Sequence, residues 1–173
     1  MKILKSLSAL LVIYNMVSCD KNKNENITNT EVTSFIDLLK SDQYNSYNLP
    51  TFTYREIFAL LQYRNDTRLI HHFPVNPLSS YCQDQCRVGL YVLWTIEAIR
   101  TESISSKYTL CRYPSLNPIL VYRESDKFEM ASDDISYTIV AKAYYDWWIN
   151  NRDRRFDDFK DIDPLKSTEY RWH

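Results

Sequence analysis

Glycine is almost missing from this sequence. The chain of 173 residues contains one glycine, Gly89, where average usage would supply about twelve. A nucleotide-binding loop of either the dinucleotide or the P-loop type needs several glycines close together, and the tight hairpins of β-sandwiches and barrels also depend on them. The shortage therefore argues against a nucleotide-binding domain and against an all-β fold.

An excess of positive charge is also missing. Lys and Arg total 21 against 22 Asp and Glu, so the formal net charge is −1, whereas a protein that binds duplex nucleic acid needs a basic surface. The sequence contains no G-x-S-x-G, no H-E-x-x-H and no zinc-finger spacing. We therefore expect no nucleic-acid partner, no cofactor, no metal and no enzymatic activity. The length suits one domain.

The N-terminus has the features of an export signal. Lys2 and Lys5 precede an apolar run over residues 7–17. Eleven residues are too few to cross a hydrocarbon layer as a helix, which takes about 20. A basic start followed by a short apolar run is typical of a secretory signal peptide.

The end of this run resembles the lipobox of bacterial lipoproteins. Met16-Val-Ser-Cys19 precedes a wholly polar stretch, and in lipoproteins the cysteine receives a diacylglyceryl group and becomes the new N-terminus. An ordinary cleaved signal, which wants small residues at both −1 and −3, fits poorly because of Met16; an uncleaved anchor is the other alternative. We therefore expect lipidation at Cys19 and an envelope protein anchored to the membrane, on the periplasmic side or at the cell surface.

Three segments follow from these features. Residues 1–18 are the expected signal peptide, and residues 19–30 are the lipidated cysteine and a flexible tether, because their polar, low-complexity sequence has little apolar area to bury. Residues 31–173 are expected to form a single helical domain.

Hydrophobic spacing predicts helices throughout this domain. One apolar stripe begins at Val32, a capping box at Thr53 and Glu56 opens a second helix, and Asp133 opens another that ends near residue 152. The longest predicted helix covers residues 81–102.

This longest helix is expected to lie at the centre of the domain. It would open with a capping box at Ser80 and Gln83, and residues 88–99 are apolar on nearly every side, which is typical of a central helix. Gly89 costs about 1 kcal/mol relative to alanine inside a helix. Its expected purpose is the close approach of another segment.

The expected fold class is all-α. The favoured architecture is a compact irregular helical bundle, with at most one short strand pair, around residues 119–122. Asx-Pro-aliphatic triplets at residues 76, 117 and 163 recur at intervals near those of HEAT repeats, so a stack of HEAT-like helix pairs is the alternative.

Three cysteines in the body are candidates for a disulfide, because an exported protein meets an oxidising compartment. Cys82 and Cys86 are four residues apart, and on a helix their Cβ atoms would be about 5–6 Å apart, against the ~3.8 Å of a disulfide. A disulfide between Cys111 and either of them is not subject to this helical spacing. Three buried thiols are the alternative, and structural zinc would need a fourth ligand.

A carboxylate on the central helix is the main charged candidate. Glu97 lies among apolar residues, where it must be paired or have a raised pKa. The expected role is a buried ion pair with Arg100, or with Arg55 or Arg68. The alternative is a general acid, and a small hydrolase could use Glu97 or the adjacent histidines at positions 71 and 72.

Clustered aromatics are the candidate binding surface. Tyr144, Trp147 and Trp148 would share one face of a helix. They form either the edge of the core or an exposed platform for a sugar or a protein partner.

Parts of the chain resemble a family of short bacterial lipoproteins recorded as a domain of unknown function. The resemblance rests on N-P-L-S-S at 76–80, on V-G-L-Y-V-L-W-T-I-E-A-I-R at 88–100, and on D-P-L-x-x-T-x-Y-x-W at 163–172. It would cover about residues 31–173. It implies a lipoprotein with a helical body and supplies no activity or catalytic residue.

The expected function is therefore a non-enzymatic envelope module that binds a protein or glycan partner. A second hypothesis is an envelope-anchored protective protein that blocks a toxin or hydrolase by occupying its site, as an immunity protein or inhibitor does. The hydrolase is a third hypothesis, from a different class.

Overall fold

The computed structural model describes residues 21–104, 112–125 and 128–173, and the side chains among these from residue 30 onward. Cys19 and Cys111 lie outside the described residues. The described helices are α1 (Lys21–Lys40), α2 (Ile57–Leu61), α3 (Val88–Ser103), α4 (Asp134–Asn151) and a short 3-10 turn (Phe156–Asp158).

Two small antiparallel sheets accompany these helices. Strand β1 (Leu69–Ile70) pairs with β2 (Cys86–Arg87), and β3 (Leu120–Tyr122) pairs with β4 (Tyr170–Trp172). The prediction of an all-α fold with at most one strand pair is therefore wrong in detail: the fold is helical with two small sheets. The strand suggested around residues 119–122 is confirmed as β3. Both pairings join segments far apart in sequence, which is why local patterns did not indicate which strands pair.

The triplets that suggested HEAT-like repeats do not begin repeat units. Asn76 and Asp163 instead accept hydrogen bonds through their side chains from the backbone N–H two residues on, at 3.0 and 2.8 Å. This is the ordinary turn-forming use of Asn and Asp. The segment after Asp163 ends in β4 rather than in a helix pair.

Helix α3 begins later than the sequence predicts. The chain enters it from β2, with Arg87 extended at the N-cap (φ −77°, ψ 138°), so residues 81–85 are irregular and the capping box at Ser80 and Gln83 does not form. Residues 82–85 are Cys-Gln-Asp-Gln and present no apolar stripe that a helix could bury. Pairing of the next two residues with β1 fixes the extended entry instead.

Helix α1 begins earlier than expected. It runs from Lys21 to Lys40, so the backbone of residues 21–30, where we predicted a flexible tether, continues the helix. The packed half contains the predicted stripe, with Val32, Ile36 and Leu39 fully buried. Once that half is formed, adding residues avoids the cost of nucleation, which explains the extension.

Helix α3 is the centre of the domain, as its apolar sequence indicates. Every residue from Val88 to Arg100 is buried, and α1, α2 and α4 pack against the helix. Trp94 is fully buried, and its ring stacks on Tyr113 with centroids 5.3 Å apart. In the described part of the chain, no helix combines the length and the hydropathy that crossing a membrane requires.

The glycine of α3 allows the close approach that the sequence predicts. A Cβ built on Gly89 would lie 2.9 Å from the carbonyl carbon of Arg64, in direct collision with the carbonyl oxygen. The N–H of Gly89 donates to the carbonyl of Asp66 at 2.9 Å. The loop after α2 therefore rests directly on the backbone of α3.

Candidate functional site

A groove of about 580 Å³ lies beside the irregular loop that precedes β2. We call it the 81–85 groove. Residues 81–85 form one wall, and residues 118–120 with 130–132 form the other. Leu90 of α3, His71 and Tyr137 complete the lining. The volume lies in the range of sites that hold small ligands or side chains of a partner, about 300–1,000 Å³.

Large apolar side chains are exposed at the rim of this groove. Tyr81 and Met130 line the groove and are 39% and 44% exposed, and Phe128, which lies next to Tyr81 outside the lining, is 51% exposed. The ring of Phe128 lies 6.2 Å from that of Tyr81 and 4.5 Å from that of His173, measured between centroids. Clustered exposed aromatics and methionine are unusual on a surface that contacts only water, and they mark interaction sites.

The wall formed by residues 81–85 also carries hydrogen-bonding groups that have no partner among the described residues. Within the described chain, no backbone N–H of residues 82–85 makes a hydrogen bond. The side chain of Gln83 donates to the carbonyl of Gln85 at 3.1 Å, while its own carbonyl oxygen is buried without a partner. A buried polar atom without a partner is costly, so this wall is suited to contact a ligand that supplies the missing bonds.

The two histidines are held through their backbones. The N–H groups of His71 and His72 both donate to a carboxylate oxygen of Asp42 at 3.0 Å, and these two bonds lower the pKa of Asp42. Only His71 lines the groove. No group of three His, Cys, Asp or Glu among the described residues is placed to hold a metal ion.

The cysteines of this region are free thiols in the structure. Cys82 is exposed and lines the 81–85 groove, whereas Cys86 is buried on β2, so no disulfide joins them. Burial raises the pKa of the Cys86 thiol. The helical spacing that we assumed does not apply, because both residues precede α3. Cys111, the third candidate, lies outside the described residues.

Glu97 forms the buried ion pair with Arg100. The guanidinium donates from Nη2 to Oε1 at 2.5 Å and from Nε to Oε2 at 2.9 Å. Tyr144 donates its hydroxyl to Oε2 at 2.8 Å, and Trp172 donates from its indole to the Tyr144 oxygen at 2.8 Å. Arg100 also donates to the carbonyl of Lys160 at 2.9 Å. This network joins α3, α4, β4 and the segment that follows α4.

The electrostatics of the network favour the charged pair. Burial alone would lower the pKa of Arg100, but its hydrogen bonds to Glu97 and the negative charge there raise it. Burial and the same negative charge raise the pKa of Tyr144 well above its ordinary value. Both oxygens of Glu97 are occupied, and the residue lines none of the cavities described for the chain. Its contacts therefore suit a structural ion pair.

The aromatic residues of α4 are not an exposed platform. Tyr144 is fully buried, and Trp147 and Trp148 are 5% and 9% exposed. The segment after α4 folds back over them, so that the ring of Phe159 lies 5.3 Å from Trp147. The prediction of an aromatic binding surface here is wrong, because a face that looks free along the helix is covered by the C-terminal residues.

The sequence did not indicate the residues that form the rim. Tyr81, Phe128 and Met130 lie in irregular segments, where apolar residues follow no period that separates core from surface. The exposed aromatics beside a Cys-Gln-Asp-Gln stretch are the only local signal. Their proximity depends on the β3–β4 sheet and its bridge from Val121 to Met130.

Comparison with known proteins places the chain in a family. No curated protein matches the sequence, and no solved structure matches it. The model of a family described as a domain of unknown function matches residues 26–173, which includes all four β-strands and helices α2 to α4. The chain therefore belongs to the DUF4943 family.

Proposed function

We propose that the protein is a non-enzymatic binding module of the bacterial cell envelope, anchored by lipid at Cys19, that holds a protein partner in the 81–85 groove. The observation that carries this proposal is the exposed rim of Tyr81, Phe128 and Met130 beside a groove of about 580 Å³. Tyrosine, phenylalanine and methionine are enriched in protein–protein interfaces, and methionine adapts its shape to a partner.

The anchor is supported by the sequence. A basic start, a short apolar run and a cysteine before a polar stretch favour export and lipidation. Each buried methylene of an acyl chain contributes about 0.8 kcal/mol, so two or three chains hold a protein stably at a membrane. Membrane attachment would confine the module to a surface where its partner can meet it at high local concentration.

An extended segment of protein is the occupant that the groove favours. The N–H groups of residues 82–85, which make no hydrogen bond to any residue that the structure describes, can pair with the backbone of such a segment, as an added strand does. The orphaned oxygen of Gln83 can accept one further bond. Side chains of the segment would then enter the groove between the rim residues.

Site-specific photocrosslinking tests the proposal. A photoreactive phenylalanine analogue replaces Tyr81 or Phe128 in the full chain, with Cys19 intact, in native membranes. The matched control is Tyr47, which is 90% exposed and does not line the groove. We expect one protein to crosslink from positions 81 and 128 and not from position 47.

The captured protein is then purified and its binding measured directly. We expect Phe128→Asp to weaken binding about tenfold or more, as loss of an interface anchor does, and Ile162→Asp, at an exposed position outside the groove, to leave it unchanged. Crosslinking that is equal at all three positions, capture of a glycan alone, or equal effects of the two variants would overturn the protein-binding role. Recovery of unlipidated chain in the soluble fraction would overturn the anchor.

A further inference from the structure

A second, smaller cavity has a different chemistry. It lies between the segment that precedes α2 and the C-terminal end of α4, has a volume of about 160 Å³, and shares no lining residue with the 81–85 groove. We call it the arginine cleft. Its lining consists of Tyr54, Arg55, Trp148, Arg152, Arg154, Phe156 and Phe159.

We propose that the arginine cleft binds the acidic end sugar of a glycan, with the carboxylate on the arginines and the sugar ring on the aromatic side chains. The site is independent of the partner groove, so either proposal can fail alone.

The cleft concentrates arginines that lack carboxylate partners. The sequence contains eleven arginines. Within the described residues, six of them form ion pairs with carboxylates: Arg68, Arg87, Arg100, Arg112, Arg123 and Arg155. Three of the other five line the cleft, and no lining residue is acidic. In a chain with 22 acidic residues, this leaves a local positive charge for an anionic ligand to neutralise.

The arginines differ in how firmly they are held. Arg154 donates to the side chain of Asn151 at 2.6 Å and to the carbonyl of Asp158 at 2.8 Å, so its position is fixed. Arg55 lies with its guanidinium carbon 5.9 Å from the centre of the Tyr54 ring. Arg152 has no side-chain partner within the described part of the chain. One fixed and one free guanidinium can close on a carboxylate from two sides, and guanidinium groups bind carboxylates in a bidentate manner.

The acids near the cleft do not cancel this charge. Glu56 turns away, because its carboxylate accepts hydrogen bonds from the N–H and the hydroxyl of Thr53 at 2.5 and 2.8 Å. Asp157 is engaged by Lys160 at 2.9 Å, and this contact lowers the pKa of Asp157. Asp153 and Asp158 are exposed and do not line the cleft.

The aromatic side chains of the cleft favour a ligand that contains a sugar ring. Tyr54 and Phe156 stack with centroids 5.4 Å apart and planes 16° apart, and Tyr54 is 44% exposed. An acidic sugar presents a flat C–H face to such rings, whereas the acidic side chain of a peptide presents only a flexible alkyl chain. The volume is below the roughly 300–1,000 Å³ of sites that enclose a whole ligand, so the cleft suits one end group of a longer glycan.

Titration calorimetry of the full chain in detergent tests the proposal with four probes. These are methyl glucuronide, methyl glucoside as the neutral ring, inorganic phosphate as the bare anion, and N-acetyl glutamate amide as the acidic peptide unit. We expect methyl glucuronide to bind about tenfold or more tightly than each of the others, and its affinity to fall with added salt.

The matched variants are Arg152→Gln and Arg155→Gln. Both residues are exposed on the same segment, but Arg155 lies outside the cleft and pairs with Asp157 at 3.9 Å. We expect Arg152→Gln to lower the affinity for methyl glucuronide about tenfold and Arg155→Gln to leave this affinity unchanged. Equal affinity for the charged and neutral sugars, tighter binding of phosphate or of the glutamate probe, equal effects of the two variants, or no binding would overturn the proposal.

Discussion

Tyr144 donates its hydroxyl to the Glu97 carboxylate at 2.8 Å, which joins α4 to the central helix inside the core. Trp172, near the C-terminal residue, donates in turn to the Tyr144 oxygen. Burial of a carboxylate is costly unless hydrogen-bond donors satisfy it. Here both oxygens of Glu97 accept hydrogen bonds, Oε1 from Arg100 and Oε2 from Arg100 and Tyr144. The last strand is therefore linked through Tyr144 to the buried carboxylate of Glu97.

Replacing Glu97 by glutamine should destabilise the fold strongly. The change leaves the Arg100 guanidinium buried without its counter-charge, which costs about 3–5 kcal/mol in comparable pairs. Urea unfolding of the full chain, followed by circular dichroism, measures the loss. Tyr144→Phe removes two hydrogen bonds, the one that the hydroxyl donates to Glu97 and the one that it accepts from Trp172, and should cost about 1–3 kcal/mol. A Glu97→Gln chain that unfolds like the wild type yet loses partner binding would contradict the structural role.

Replacing Gly89 by alanine should also destabilise the fold. Alanine favours the helix by about 1 kcal/mol, but its Cβ would collide with the Arg64 carbonyl, and overpacking of a rigid site costs about 1–3 kcal/mol or more. We expect a lower melting temperature. The control is Ala98→Gly in the same helix, which should lose only propensity and a small buried methyl group. A Gly89→Ala chain more stable than the wild type would show that the loop after α2 can move.

The contribution of Asp66 to the stability of the fold should decrease as the pH falls. Burial alone would raise the pKa of Asp66, but hydrogen bonds from Arg68 and Lys40, each with an N–O distance of 2.9 Å, hold it well below its ordinary value. A folded pKa below the unfolded one stabilises the protein above the unfolded pKa, near 4, and this gain is lost as the pH falls through the folded pKa.

The measurement compares wild type and Asp66→Asn in urea at several pH values. We expect the variant to be less stable by about 1–3 kcal/mol near pH 7 and the difference to narrow between about pH 5 and pH 2. Asp146→Asn breaks an exposed pair with Lys142 and should change stability by less than about 0.5 kcal/mol. If wild type and Asp66→Asn differ in stability by the same amount at every pH, the ionised carboxylate of Asp66 does not stabilise the fold.

The two described cysteines should react at different rates. The thiolate is the reactive form, and Cys82 is exposed, whereas burial raises the pKa of Cys86 and shields it. Brief iodoacetamide treatment of the folded chain, followed by peptide mass spectrometry, should label Cys82 and leave Cys86 unlabelled. Unfolding in urea should make both react. Protection of Cys82 in the folded chain that a reductant reverses would show a disulfide instead.

Some features of the fold follow from local sequence. The apolar run over residues 88–99 predicts a central helix because a helix with no polar face has to be covered on all sides. Gly89 predicts a close approach because nothing else offsets its cost in a helix. Glu97 predicts a partner three residues on because residues at that spacing are neighbours on a helix. Each conclusion depends only on residues within one helix.

Other features depend on segments that meet only in the folded chain. The exposure of Trp147 is decided by Phe159 and the turn that brings it back over α4. The conformation of residues 81–85 is decided by pairing of β2 with β1, which overrides the local capping signal. The rim of the 81–85 groove and the arginine cleft each combine separate segments.

The sequence by itself thus determined the central helix and placed Arg100 beside the buried charge of Glu97, since periodicity and spacing act within a single element. Only the tertiary structure decided which aromatic side chains reach solvent. Exposure is set by whatever packs on a face, and here Phe159 and Trp172, distant in sequence, cover the face of α4, while no comparable segment among the described residues covers Tyr81 and Phe128.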